Sequence, residues 1–510
     1  MGFRFSLART GYGKTTVDWE NMFTSVSALF LVLMLSGLVA GKLYSHNSIG
    51  VAFWKKGAFN ASAQHHPQHA KRPKGEAGGY KVQFPPSRRR AIAAGSIEGT
   101  HEVRDLLKGP SPTQIQLETC QLPTTRAADI GKDGQYTPTG FSTEDIKALG
   151  TFPDYSALSG VPHPKPCSGF DINTATFRPF RPFRFAYHQT MSLMKFEPDF
   201  WIELEKNYFE RLEQRKQLWK QHGTDVLNYN PGSELACREL MEMVLQYVCI
   251  RYSSHFALED SNSIFVNRLL KTRTPVNSQH PLHILFDNIP EDFAIMLRSE
   301  EDGMYYLKAG FICSSIGWTF GTHNNRQLRA IHTEVNDYEE KMSKSMDRFF
   351  SKMPVDQPIQ RGSWFVEDWQ PLFVTPEEFA RNAGTRHQGE NVGIDQCYLR
   401  CDWQTLRRLP LSGAVVFNFK AVFTPMQELR DEPYIPSLLY KQITAGKPLL
   451  TEPKVHPHIR PVVLEALQAW RKEQVEKGVI SADWVEETLA ESPFYPGWEE
   501  LWRKKIGFDI

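Results

Sequence analysis

Apolar residues along this chain fall into three patterns. Residues 22–41, MFTSVSALFLVLMLSGLVAG, carry no charge, and an uncharged run of that length crosses a hydrocarbon core of about 30 Å at about 1.5 Å per residue. The pattern predicts a single-pass transmembrane helix preceded by a short tail at 1–21. The run is longer than the h-region of a signal peptide and lacks a small-x-small cleavage site, so it reads as an uncleaved anchor in the bilayer. From 42 to 165 periodicity disappears. AQHHPQHAKRPKGEAGG and PPSRRR typify a stretch rich in Pro, Gly, Ser and Thr. Such a stretch buries too little apolar surface to offset its ordering entropy, and it reads as a disordered, flexible linker.

The third pattern alternates helical and strand periods from about residue 166 onward. FEPDFWIELEKNYFERLEQRKQLWKQHG has Pro198 near its start, Trp201, Leu204, Tyr208 and Leu212 at spacings of three and four, and Gly223 after its end; it predicts an amphipathic helix. SELACRELMEMVLQYVCIRY, 233–252, predicts a second, more buried one. Two β-rich runs flank Glu301-Asp302-Gly303, a hairpin signal. Val335, Tyr338, Met342, Met346, Phe349 and Met353 share one face of a helix starting near Thr333. A strand at 413–424 follows the charged lead-in DWQTLRRLP, and helices close the chain. The fold class is α+β, an antiparallel sheet with packed helices. The domain spans 166–450, with a helical extension at 451–510.

Charge changes this picture in one place. Residues 42–110 hold twelve Lys/Arg against four Asp/Glu while the whole chain carries only +1, so the remainder is mildly acidic and offers no nucleic-acid surface. The basic stretch suits anionic lipid head groups. Arg4, Arg9 and Lys14 before the anchor balance Lys42, Lys55 and Lys56 after it, leaving orientation open. The sequon Asn60-Ala61-Ser62 is a glycosylation site only on a lumenal side, and His65, His66 and His69 read as tether rather than metal site. GYGKTT, 11–16, lacks the first glycine of a phosphate loop, which falls on Ala8. Seven scattered cysteines, with Cys397 and Cys401 four apart, form neither a disulfide framework nor a metal or iron–sulfur motif.

GxSxG, HExxH, GxGxxG after a strand, and DxD are all absent, which removes the commonest hydrolases, zincins and dinucleotide enzymes at motif level. His332, in RAIHTEVNDYE, stands directly before the expected helix start. The positive helix end there disfavours imidazolium and keeps the ring neutral, as a metal or haem ligand must be. A histidine bonded to nearby backbone is the ordinary alternative. Arg400, Arg407 and Arg408 match carboxylates, including haem propionates, as readily as they form salt bridges. In an extended LRRLP one of the last two turns inward and the other outward, so at most one is buried.

Four blocks taken together carry a resemblance. LRCDWQTLRRLPLSGAVVFNFKAVFTP (399–425), RPFRFAYHQTMSLMKFEPDFW (181–201), GFICSSIGWTFGTHNNRQLRAIHTEVNDYEEKMSKSMDRFF (310–350) and RGSWFV (361–366) resemble, in order, segments of the haem-dependent oxidative N-demethylase family. The resemblance implies a PAS-like fold that binds haem b and oxidises a small methylated amine with oxygen. The products are the demethylated amine and formaldehyde, and the electrons come from NAD(P)H through flavin and iron–sulfur groups of a separate reductase. It makes His332 the proximal haem ligand. Arg400, Gln404, Arg407 and Arg408 become propionate or core-network contacts, and Tyr187, His188, Gln189 and Trp318 line the pocket. The chain departs from the family pattern at Asp402, usually Glu, at Trp403, commonly basic, and after His332, where Thr-Glu-Val-Asn-Asp replaces a proline-flanked segment. Two other classes stay open: a PAS-like sensor that binds haem or a small ligand without turnover, and a type II membrane glycosyltransferase suggested by the tail, anchor and stem.

Overall fold

The computed structural model describes residues 137–184, 191–299, 301–333, 335, 338–382 and 392–506. The anchor at 22–41, the sequon, the histidine cluster and the basic linker to 136 lie outside the described residues. No helix of the described residues is long and apolar enough to cross a membrane.

The last part of the expected linker, from 137, is folded. Helix α1 (Thr143–Leu149) starts at Ser142, whose Oγ accepts the Asp145 N–H while the Asp145 carboxylate accepts the Ser142 N–H, a reciprocal cap that satisfies two otherwise orphaned donors. Helix α2 (Tyr155–Ser159) follows. Phe141, Ile146, Leu149, Tyr155 and Leu158 join the main core. In a composition average these few apolar residues are diluted by the polar residues around them.

The short strand β1 (Met194–Lys195) comes next. The helix expected from 198 forms only from Tyr208, as α3 (Tyr208–His222), and ends at Gly223 with φ +52°. Trp201 and Leu204 are buried all the same, on non-helical backbone whose N–H groups donate to the hydroxyls of Tyr247 in α4 (Glu234–Arg251) and of Tyr252, the residue that caps its C-terminus. Those tertiary acceptors replace the intrahelical carbonyls. Strand β2 (Leu227–Tyr229) precedes α4. After α4, β3 (Phe256–Glu259), β4 (Ile264–Asn267) and β5 (Thr272–Pro275) form a small antiparallel sheet, and α5 (Pro281–Asn288) follows. The expected hairpin is β6 (Asp292–Arg298) and β7 (Tyr305–Phe311). Short helices α6 (Phe320–His323) and α7 (Leu328–Ile331) lead to a π turn, Tyr338–Met342, and α8 (Ser343–Lys352). The extra residue of the π turn shifts the helical phase, so Phe350 rather than Phe349 joins Tyr338, Met342, Met346 and Met353 in the core. Strand β8 (Ile359–Glu367), helix α9 (Pro376–Asn382), and strands β9 (Tyr398–Arg408) and β10 (Val415–Pro425) complete the site. Helices α10 (Ile435–Ala445), α11 (Arg460–Glu476) and α12 (Trp498–Ile506) end the described chain.

The charged lead-in at 402–408 is itself strand, paired with β10 from Arg408↔Val415 to Tyr398↔Pro425. Among the described residues the main sheet runs β1-β8-β9-β10-β6-β7-β2, antiparallel throughout. Helices cover one face: α3, α4 and α5 pack on Phe293, Ile295 and Val416, and α10 and α11 on Trp364, Val366 and Leu399. On the opposite face α8 packs on Ala294, Met296, Leu406 and Phe417, and beyond it the sheet is open.

Candidate functional site

Side chains on β9 alternate between the two faces. Arg400, Asp402, Gln404, Leu406 and Arg408 share the α8 side with their cross-strand neighbours Phe365, Ser363, Arg361 and Ile359 from β8 and Phe423, Ala421, Phe419, Phe417 and Val415 from β10. Where α8 no longer covers this face there is a cavity of about 820 Å³. Arg400, Asp402, Gln404, Ala421 and Phe419 line it from the sheet, Trp318 and Ser314 from the segment after β7, Phe379 from α9, and His456 and His458 from the segment before α11. The residues flanking Asp402 across the strands, Ser363 and Ala421, are small and leave space above the carboxylate.

His332 belongs to the same side of the sheet but does not line this cavity. It caps the C-terminus of α7, and among the described residues the next helical turn is Tyr338–Met342. The helix-start argument for its neutrality therefore fails; a helix C-terminus would favour the imidazolium. The ring is kept neutral by another cause. Burial pushes its pKa below the ordinary value, the nearby Arg361 and His323 charges push the same way, and the Leu328 carbonyl opposes them. His332 Nδ1 lies 2.8 Å from the Leu328 carbonyl oxygen. A carbonyl only accepts, so Nδ1 carries the hydrogen and Nε2 the lone pair. The ring stacks on Tyr338 at 5.4 Å. Met191, Trp318, Ile331, Val335 and Phe419, all only partly buried, pack against the apolar cluster on this side.

The three arginines have three separate fates. Arg407 and Arg408 point to opposite faces as alternation requires, yet both are buried, because both faces are covered. Arg408 donates from Nε to the Met353 carbonyl (2.7 Å), from Nη1 to the Tyr305 hydroxyl (2.8 Å) and the Gly413 carbonyl (2.7 Å), and from Nη2 to the Phe350 carbonyl. It ties the end of α8 to the β9–β10 turn, leaving little for a ligand. Arg407 lies on the helix-covered face over the rings of Trp201 (4.2 Å) and Phe196 (5.5 Å), and burial pushes its pKa down to about 10. Arg400 alone faces the cavity, held by Asp402 Oδ1 (2.8 Å) and the carbonyls of Pro371 (2.5 Å) and Ser314 (3.3 Å).

Gln404 and Trp318 line the cavity, Trp318 stacked on His323 at 5.0 Å. Tyr187, His188 and Gln189 lie outside the described residues. Sequence reading missed Arg361, whose side shared with Gln404 follows from strand alternation once β8 is known. It also missed Glu367–His456 and Asp368–His458, each 2.9 Å. Their partners are about ninety residues apart, and no local spacing announces them.

A family model described as haem-dependent oxidative N-demethylase, alpha subunit-like, matches residues 192–464. The match runs from β1 into α11, spans more than half of the chain, and takes in the whole main sheet, His332 and every cavity residue named above. The chain belongs to the haem-dependent oxidative N-demethylase alpha-subunit-like family.

Proposed function

We propose that the open side of the sheet holds haem b through His332 Nε2, and that the chain removes a methyl group from an amine using oxygen. The observation that carries this reading is the His332 imidazole, fixed at Nδ1 by the Leu328 carbonyl and stacked on Tyr338 of the apolar cluster on this side. The donor set fits the group. A neutral imidazole with one nitrogen tied to a carbonyl is the form a haem iron takes up. Arg361 and Arg400 offer guanidinium groups on this side to carboxylate groups, and Trp318 and Phe419 supply flat apolar walls. Arg407 and Arg408 serve the fold instead. An antiparallel sheet with helices on one face and a cavity on the other supports the PAS-like reading.

Haem, when bound, supplies the oxygen activation that no side chain can. The protein's own groups position and enclose. His332 presents Nε2, the Arg400–Asp402 pair keeps the cavity floor polar without net charge, and Trp318 with Phe419 keeps bulk water from the space between. The reaction consumes amine, oxygen, two electrons and two protons and yields demethylated amine, formaldehyde and water. Electrons therefore come from a separate reductase drawing on NAD(P)H through flavin and iron–sulfur groups.

The test is formaldehyde release from the haem-loaded full chain given an amine, oxygen and an electron donor. Formaldehyde equal to the amine consumed is expected. Haem-bound protein that yields none from any N-methylated amine would establish the sensor reading instead.

A further inference from the structure

We propose that protons reach the cavity through a gap beside the start of β6 that holds one water, by way of Asp292 and the Ser314 hydroxyl. That these protons feed oxygen chemistry rests on the function proposed above. The gap and its water rest on the fold alone.

The gap lies where the sheet stops being continuous. β10 pairs with β6 only from Val415↔Met296 to Phe419↔Asp292, and beyond Phe419 it runs on to Pro425 beside β9 alone. Main-chain groups opened there need other partners. Helix α3 supplies them: Arg211 Nη2 donates to the Ala421 carbonyl (3.1 Å) and Gln214 Nε2 to the Cys313 carbonyl (3.1 Å). Among these groups is a space of about 10 Å³, about the least that admits one water. It shares Ser314, Phe419, Lys420 and Ala421 with the walls of the cavity. It shares Asn207 and Arg211 with a groove of about 620 Å³ beside the N-terminus of α3, whose walls include the exposed Lys206 and Glu210. The gap thus joins an outside groove to the cavity.

Strand alternation shows that it crosses the sheet. Asp292 stands opposite Phe419 and so on the cavity side, yet Arg215 of α3, a helix of the other face, reaches it with Nη2 2.8 Å from Asp292 Oδ1. Asp292 Oδ2 accepts the Ser314 hydroxyl (2.5 Å) and the Cys313 N–H (2.9 Å). Arg215 Nη1 is buried with no acceptor among the described residues, and the Arg215 and Asp292 side chains are only 3% and 1% exposed. An orphaned buried donor beside a space of this size is what an internal water satisfies. A proton passed from that water to Asp292 moves on to Ser314 Oγ as the hydroxyl's own proton leaves for an acceptor in the cavity. The water regains its proton from solvent in the groove, and hydroxyl and carboxylate return to their starting forms. Each turnover needs two such crossings. Arg215 keeps its charge throughout and positions the carboxylate and the water. The rival source is the pair of partly exposed imidazoles in the cavity wall, His456 and His458, bonded to Glu367 and Asp368 at 2.9 Å each.

Two measurements on the full chain test the route. A crystal structure should show one water in the gap, within hydrogen-bonding distance of Arg215 Nη1; a dry gap overturns the proposal. With haem, amine, oxygen and an electron donor supplied, Ser314→Ala should lower kcat severalfold at unchanged amine KM and enlarge the solvent deuterium isotope effect on formaldehyde release. Ser314→Thr, which keeps the hydroxyl, should restore both. Asp292 retains Arg215 and the Cys313 N–H in either variant, so the fold stays intact. A Ser314→Ala isotope effect equal to the parent's overturns the route, leaves the function, and makes the histidine pairs the proton source. A parent that releases no formaldehyde overturns the function and the route with it, while the water in the gap is still decided by the crystal structure.

Discussion

Adjacent residues Arg407 and Arg408 have the same side chain and opposite surroundings. Arg408 is satisfied by four oxygens, three of them backbone carbonyls at the ends of other elements. Arg407 makes no hydrogen bond among the described residues, and its Nε is buried without an acceptor. Removing a buried charge whose partners remain strands those partners, whereas removing one that lies on rings alone sheds a desolvation cost. Arg408→Met should therefore cost about 3 kcal/mol or more, and Arg407→Met should stay within about 1 kcal/mol of the parent. Urea unfolding of the two variants checks this, and equal losses would contradict it. Period-two alternation places the two arginines on opposite faces from sequence alone. It does not reveal that both faces are covered, because the covering helices come from segments as distant as 208–251 and 343–352.

At the scale of elements, the β9–β10 turn is anchored by a helix. Glu239 of α4 accepts the backbone N–H groups of Leu411 (2.5 Å) and Ser412 (2.8 Å). Burial still raises its pKa from 4.5 to about 7, the hydrogen bonds opposing. The folded carboxyl thus binds a proton between those values that the unfolded one has released, and stability falls as pH rises from about 4.5 to 7. Glu239→Gln should flatten that part of the pH–stability curve by up to one proton's slope; an unchanged slope would contradict the assignment. Strands and helices whose own spacing decides them, such as the β6–β7 hairpin and α4, are legible in the sequence. Three departures share a cause in tertiary partners or phase: the unwound start before α3, the π turn that exchanges Phe349 for Phe350, and β9, whose charged residues disguise a strand buried on both sides.

Over the whole molecule, the cavity is assembled from the sheet, the segment after β7, helix α9 and the segment before α11. Val455 bridges to Val366 in parallel there, and His456 and His458 reach Glu367 and Asp368. Nothing in any one of these segments announces the others, which is why sequence reading reached Gln404 and Trp318 only through a resemblance and missed the Glu367–His456 and Asp368–His458 pairs. The family match covers 192–464; Phe177 and Phe180 before it and Phe494 after it pack with Cys401 and Trp403 on the helix-covered face. Flanking segments thus brace the back of the strand that lines the cavity. Trp403, one of the two departures within the signature strand, is buried in that brace and donates from Nε1 to Gln360 Oε1 at 3.1 Å, so an indole there is explained by packing against the flanks rather than by the ligand side.

His332 as the haem ligand is the claim on which the functional reading stands, and the absorption spectrum of the full chain produced with haem available tests it most directly. The account predicts a Soret band in the parent that is lost or strongly shifted in His332→Ala, while the variant's circular dichroism stays that of the parent. No Soret band in the parent, or one unchanged by His332→Ala, would contradict it.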